Sequence, residues 1–201
     1  MKPLNSPEEN NKYKIITLGD AGAGKTSLVL RYTRNVFDPN LSTTIGANFV
    51  TVPVDYNHQD IELELWDTAG QERYRSVLPL YSQGSSAILL VFDASSDNYL
   101  KNVQYWVDYI VDKMELTVPV YLIGNKNDLV DCQDEIVAST EEIVERHSLK
   151  LFFTSAKTGQ NVERLFRAVT EDVVRRENRT TKVTKTMILS PQKQESKPCC
   201  G

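Results

Sequence analysis

Apolar residues in this chain fall into short continuous blocks separated by segments with a helical period. Tyr13 to Leu18, Ile61 to Leu65, Ala87 to Phe92, Val118 to Gly124 and Lys150 to Thr154 read as strands. The block Ala87 to Phe92 (Ala-Ile-Leu-Leu-Val-Phe) is apolar at every position, as a strand covered on both faces must be. Ser27 to Arg34 follows the first strand with a helical pattern. Ser139-x-x-Glu142 has the form of a capping box and predicts a helix start at that point. Val162, Leu165, Phe166, Val169 and Val173 form one apolar stripe, which predicts a last helix packed on the core. Strands alternating with helices predict an α/β domain whose parallel sheet is covered on both faces. There is no internal repeat, and no apolar run is long enough to cross a bilayer. The N-terminus lacks a signal-peptide core, and Lys2 stands where myristoylation needs a glycine.

The loop after the first strand carries the first chemistry. Residues 19 to 26 read Gly-Asp-Ala-Gly-Ala-Gly-Lys-Thr, a full match to G-x-x-x-x-G-K-[ST] in the strand-to-helix setting that makes this motif meaningful. Gly19, Gly22 and Gly24 let the backbone of Asp20, Ala21 and Ala23 close around a phosphate. The helix that starts near Lys25 adds its positive dipole end, with Ser27 in its first turn. Lys25 can reach β- and γ-phosphates, and the Thr26 hydroxyl is a hard oxygen suited to Mg²⁺. A mere glycine-rich turn before a helix would leave the lysine and the hydroxyl unexplained. The motif predicts a bound nucleoside triphosphate.

The base is read from two later strand ends. In Asn125-Lys126-Asn127-Asp128 the Asp128 carboxylate can accept both the N1–H and the N2–H₂ of guanine, donors that adenine does not offer in that arrangement. In Ser155-Ala156-Lys157 the Ala156 N–H can donate to O6, while the stems of Lys126 and Lys157 flank the ring. Either fragment alone is a common turn; together, in this order, they specify guanine and argue against a P-loop ATPase or kinase. Between them lies Trp66-Asp67-Thr68-Ala69-Gly70-Gln71-Glu72. Asp67 can hold the metal through a water, Gly70 can bring its N–H to the γ-phosphate, and Gln71 can orient the attacking water. Thr44 supplies a second metal-binding hydroxyl while a γ-phosphate is present.

With these motifs the chain, over residues 12 to 177, resembles a small GTPase of the Ras superfamily, and its Rab branch in particular. The resemblance to that branch rests on Ile45-Gly46-Ala47-Asn48-Phe49, on Trp66 through Tyr74, and on the Cys199-Cys200-Gly201 ending. It implies a P-loop GTPase domain with a mostly parallel six-stranded sheet, binding GTP or GDP with Mg²⁺ and cycling between the two to regulate vesicle traffic. Slow intrinsic hydrolysis is expected, since no internal arginine is placed to neutralise the transition state; a partner's arginine would add about 10³–10⁵-fold. The resemblance places Phe37 edge-on against the guanine, with a loop aromatic covering the core as the other reading. It makes Phe49, Trp66 and Tyr81 the aromatics shown to effectors, a role compatible with their also being sheet aromatics. It assigns Cys199 and Cys200 to geranylgeranyl groups. The partners it implies are effectors, an exchange factor, an activating protein, prenyl-binding escort proteins of the GDI type and a membrane, with no nucleic acid and a monomeric chain. The place it implies is the cytoplasmic face of intracellular membranes, endosomal by the flavour of Arg73 to Tyr81, with a cytosolic pool.

Four positions depart from the family pattern. Ala21 lies where an activating arginine would enter and is expected to lower the response to it. Asn48 removes an acidic charge, Ser82-Gln83 replaces Tyr-Arg, and Leu41 stands where an aromatic covers the phosphates. A binding-only scaffold is the rival function; Lys25, Thr26, Thr44, Asp67 and Gln71 argue against it.

Composition adds an asymmetry. The chain of 201 residues, 40% hydrophobic, has room for one domain with a core. Its net charge is −4, yet residues 179–201 carry five cations against Glu195 alone, leaving −8 for the remainder. Residues 1–11 and 178–201 are expected to be flexible tails. The second could be a plain terminus, but with two prenylated cysteines it would be an anchor, since one lipid chain holds a protein only marginally. Of three cysteines, Cys132 stands alone in a loop, and none suggests a disulfide framework.

Overall fold

The computed structural model describes residues 11–70, 76–114 and 118–188. Six strands occur: β1 (Lys12–Leu18), β2 (Ala47–Tyr56), β3 (Gln59–Thr68), β4 (Ala87–Asp93), β5 (Val120–Asn125) and β6 (Lys150–Phe153). Five helices connect and cover them: α1 (Lys25–Arg34), α2 (Leu78–Ser82), α3 (Tyr99–Lys113), α4 (Gln133–Arg146) and α5 (Val162–Ile188). The strands form one sheet in the order β2-β3-β1-β4-β5-β6. Among the described residues only β2 runs antiparallel, paired along its length with β3 through the turn at Asn57 and His58. The expected α/β fold with a mostly parallel six-stranded sheet is the one found.

Alternation along each strand divides the core in two. Ile15, Leu63, Leu65, Leu89, Val91 and Ile123 pack on one face with α1 and α5; Ile16, Leu18, Ile88, Leu90 and Leu122 pack on the other with α3 and α4. β4 supplies both faces, which is why its sequence contains no polar alternation before Asp93. The stripe of α5 is as expected: Val162, Leu165, Phe166, Val169 and Val173 are all buried. Phe166 also stacks on Tyr32 of α1, ring centres 3.9 Å apart.

One expectation about a helix fails. Ser139 caps nothing, because α4 begins earlier, at Gln133, with Asp134 and Glu135 complementing the dipole of its first turn. The Ser139 hydroxyl instead bonds back to the Ile136 carbonyl at 3.0 Å and shares a 2.7 Å bond with Tyr99 Oη of α3. Of the segment 178–201, expected as a disordered tail, residues 178–188 continue α5. No glycine or proline interrupts the chain from Asn178 to Ile188, so nothing in the local chemistry stops the helix.

The order in which strands are added reverses at β1: β3 lies on one side of it and β4 on the other, both parallel to it. A crevice beyond the carboxyl ends of the strands at such a point is where α/β sheets hold ligands. The candidate motifs all leave strands at that edge.

Candidate functional site

The glycine loop leaves β1 and turns into α1 with Gly19, Gly22 and Gly24 at positive φ. Two of these positions also have no room for a side chain. A Cβ on Gly19 would lie 1.9 Å from the Val91 carbonyl oxygen of β4, and one on Gly24 would lie 2.3 Å from Asn125 Nδ2. The loop is therefore pressed against its neighbours, and named bonds hold it there. Asn125 Nδ2 donates to the Ala23 carbonyl at 2.9 Å, and Trp106 Nε1 of α3 donates to Asp20 Oδ1 at 3.0 Å.

Lys25 lies along the inside of this loop. Its Nζ donates to the Gly19 and Asp20 carbonyls at 2.9 and 2.8 Å. Burial pushes its pKa down to about 8, with Asp67 and Asp20 acting in the opposite sense. Beside it three oxygens converge. Thr26 Oγ1 donates to Asp67 Oδ2 at 2.6 Å, the Thr26 and Thr44 hydroxyls are 2.7 Å apart, and Thr44 Oγ1 reaches Asp67 Oδ2 at 3.5 Å. Burial raises the Asp67 pKa, against the hydrogen bonds from Thr26 and Thr44 and the charge of Lys25. The other oxygen, Asp67 Oδ1, is buried with no hydrogen-bond partner among the described residues. An octahedral Mg²⁺ with bonds of 2.0–2.1 Å has neighbouring ligands about 3 Å apart. The spacing and the hard-oxygen character of this set fit such an ion.

Gly70 follows β3 and comes so close to the glycine loop that a Cβ would be 2.4 Å from Ala21 N. Ala21 itself is exposed at the mouth. A cavity of about 370 Å³ lies here, bounded by the glycine loop, Gly70, Thr44, Leu41 and Phe37. A smaller one of about 120 Å³ adjoins it, bounded by Phe37, Ser27, Lys126, Asp128, Ala156 and Lys157. Phe37 borders both cavities. Leu41, 39% exposed, lines the larger cavity at the place where its departure from the family pattern matters.

The base-end residues are linked to one another. Lys126 adopts a left-handed conformation, φ 62°, and its Nζ pairs with Asp93 Oδ2 at 2.5 Å. Ser155 Oγ donates to Asp128 Oδ1 at 2.5 Å, and Lys157 Nζ lies 3.7 Å from Asp128 Oδ2. The Ala156 N–H, expected to face a guanine oxygen, is donated to Asn125 Oδ1 at 3.1 Å. Asn125 thus joins the glycine loop to the Ser155–Lys157 loop with its two amide atoms.

Phe49, Trp66 and Tyr81 form a continuous aromatic strip away from these cavities. Phe49 stacks on Trp66 at 5.1 Å, and Trp66 meets Tyr81 at 6.3 Å. Phe49 is 53% exposed, while Trp66 and Tyr81 are half-buried and pack against the core beneath, so the strip joins the surface to the core. Lys14 Nζ sits 4.2 Å above the Trp66 ring and donates to the Gln83 carbonyl, while Ser82 is buried with its hydroxyl on the Pro79 carbonyl. Gln71, Cys199 and Cys200 lie outside the described residues.

Two residues that sequence reasoning passed over hold this site together. Trp106 is one; Arg31, whose guanidinium reaches the Ala156 and Lys157 carbonyls, is the other. Neither belongs to a recognisable motif, and each lies far along the chain from its partner.

A profile of the Ras family matches residues 14–175 of the chain. Ras-related protein RABE1e of Arabidopsis thaliana is 33% identical over 200 residues, covering 94% of this chain and 92% of that protein. Ras-related protein Rab-13 of Mesocricetus auratus is 30% identical, with 93% and 95% covered. Ras-related protein Rab-11A of Dictyostelium discoideum is 36% identical over 157 residues, with 78% and 73% covered.

Proposed function

Because the chain belongs to the Rab branch of the Ras superfamily of small GTPases, we propose that it binds GTP with Mg²⁺, hydrolyses it slowly, and uses the two nucleotide states as a switch in membrane traffic. The observation that carries this reading is the meeting of Thr26, Thr44 and Asp67 oxygens within 2.6–3.5 Å beside the buried ammonium of Lys25.

Thr26, Thr44 and Asp67 would hold the ion, which when bound supplies charge neutralisation at the β- and γ-phosphate oxygens. Lys25 exchanges its two carbonyl partners for phosphate oxygens, bringing a cation to the same charge. The backbone N–H groups of Asp20 to Thr26 and of Gly70 donate to the remaining oxygens. Gln71 orients water in line with the bond to be broken. Asp128 selects guanine through two accepting oxygens, and Phe37 covers the ring edge. Thr44 belongs to the segment between α1 and β2 and Gly70 to the segment after β3, so both segments are ordered by the γ-phosphate and released when it leaves.

That change is read at Phe49, Trp66 and Tyr81, the surface offered to effectors. An exchange factor and an activating protein set the timing. Cys199 and Cys200 carry the lipids that hold the domain at the cytoplasmic face of an endosomal or related membrane, and a GDI-type escort extracts it as a monomer.

Gln71→Leu separates hydrolysis from binding. GTP affinity is expected to stay within a few-fold of wild type, while single-turnover phosphate release at saturating Mg²⁺ slows by at least about 10-fold. Unchanged release, with and without an activating protein, would turn the reading toward a non-hydrolysing scaffold.

A further inference from the structure

Arg31 connects two segments of the site that no motif joins. It stands in the last turn of α1, and its guanidinium meets four acceptors. Nε donates to the Ala156 carbonyl at 2.7 Å and Nη2 to the Lys157 carbonyl at 2.8 Å. Nη1 donates to the Asn35 carbonyl at 2.9 Å and to Asn35 Oδ1 at 2.8 Å. Asn35 is the left-handed cap of α1, its own N–H on the Arg31 carbonyl. The segment that leaves it carries Phe37, Leu41 and Thr44. Ala156 and Lys157 border the base cavity.

We infer that Arg31 is a positioning residue for guanine retention: it fixes Ala156 and Lys157 at the base cavity and ties them to the root of the segment that bears Thr44. The inference rests on the guanine reading above and adds a residue that touches neither base, phosphate nor metal. A planar fork with five donors suits this junction, since three of its nitrogens point at fixed angles to acceptors on separate segments. A lysine in the same place has a single nitrogen and cannot span them. The coupling works in both directions. Displacing Asn35 withdraws two of the four acceptors, so movement of the segment after α1 loosens the grip on the loop at the base.

GDP release from the full-length protein, preloaded with a fluorescent GDP and chased with unlabelled GDP, tests this. R31Q and R31K are expected to release GDP about 10-fold faster or more, because each loses charge-assisted bonds at the base loop. N35G keeps a backbone suited to positive φ and removes only the side-chain arm, so a smaller acceleration is expected. Single-turnover hydrolysis of bound GTP should fall by much less than release rises, a split that a general loss of stability would not produce. R31K, which retains the charge and the aliphatic stem, decides the matter if R31Q does not fold. Release at the wild-type rate from R31K overturns the inference, and so does hydrolysis that falls as far as release rises. A wild-type chain that retains no GDP at all sinks the guanine reading and this one with it.

Discussion

On the proposed guanine reading, Asp128 is the residue on which base selectivity would turn. Ser155 Oγ and Lys157 Nζ hold its carboxylate at the wall of the smaller cavity, where both oxygens act only as acceptors. Asp128→Asn replaces one acceptor by a donor. Its preference is expected to move from GTP toward XTP by about 10²-fold or more, measured by competition binding; an unchanged preference for GTP would remove Asp128 from the base pocket. At this scale the sequence showed most of what matters, because strand-end motifs carry their own chemistry: Lys25, Thr26 and Asp67 lie together as their types required. What it hid were the supports. Arg31 acts on a carbonyl 125 positions away and Trp106 on a carboxylate 86 positions away. Both act through tertiary contacts that leave no local signature. The bond from the Ala156 N–H to Asn125 Oδ1 has the same origin, since only the fold brings Asn125 near enough to accept it.

Among the elements, α5 is the one whose attachment is most fully described. Its apolar stripe packs on the sheet, and polar bonds flank it: Tyr13 Oη of β1 to Glu177, Tyr121 Oη of β5 to Asp172, and Lys150 of β6 to Asp172. Phe166 is fully buried and stacked, so Phe166→Ala is expected to cost about 3–5 kcal/mol, read as a lower urea midpoint with unchanged slope. Asp172 gives the same attachment a pH dependence. Burial raises its pKa, but the bonds from Lys150 and Tyr121 outweigh this and leave it below the ordinary carboxylate value. A carboxyl depressed in the folded state stabilises above its unfolded value, about 3.9, and that contribution disappears as pH falls through the folded value. The gap in melting temperature between wild type and Asp172→Asn should therefore be full near pH 6 and close below about pH 4; a gap independent of pH would exclude the carboxylate as its source. The periodic stripe of α5 was legible because burial imposes it. The start of α4 was not, because Ser139 fits a capping pattern equally well as a mid-helix residue bonded back to Ile136.

Over the whole molecule, charge divides the chain in two. The acidic body carries −8 and residues 179–201 carry +4, and among the described residues no helix is long and apolar enough to cross a membrane. Anchoring by Cys199 and Cys200 predicts that changing both to Ser makes the protein cytosolic with GTP hydrolysis intact, whereas either single change leaves partial, salt-sensitive attachment. Fractionation at low and high salt distinguishes these cases, and a double variant still on membranes would refute the lipid assignment. The class of the sheet is readable from alternating strands and helices; the antiparallel run of β2 is not, since Ala47–Tyr56 holds a proline and no long continuous apolar block. One further property follows from where the aromatic side chains lie. The chain has two tryptophans. Trp106 is buried with its indole nitrogen on the phosphate loop, whereas Trp66 lies in the aromatic strip under Phe49. Each indole is thus a built-in optical probe of a different district, and a Trp66→Phe protein would leave a single tryptophan emitter, set between the glycine loop and Tyr105 and Tyr109 of α3, that reports on that junction in real time and without a dye.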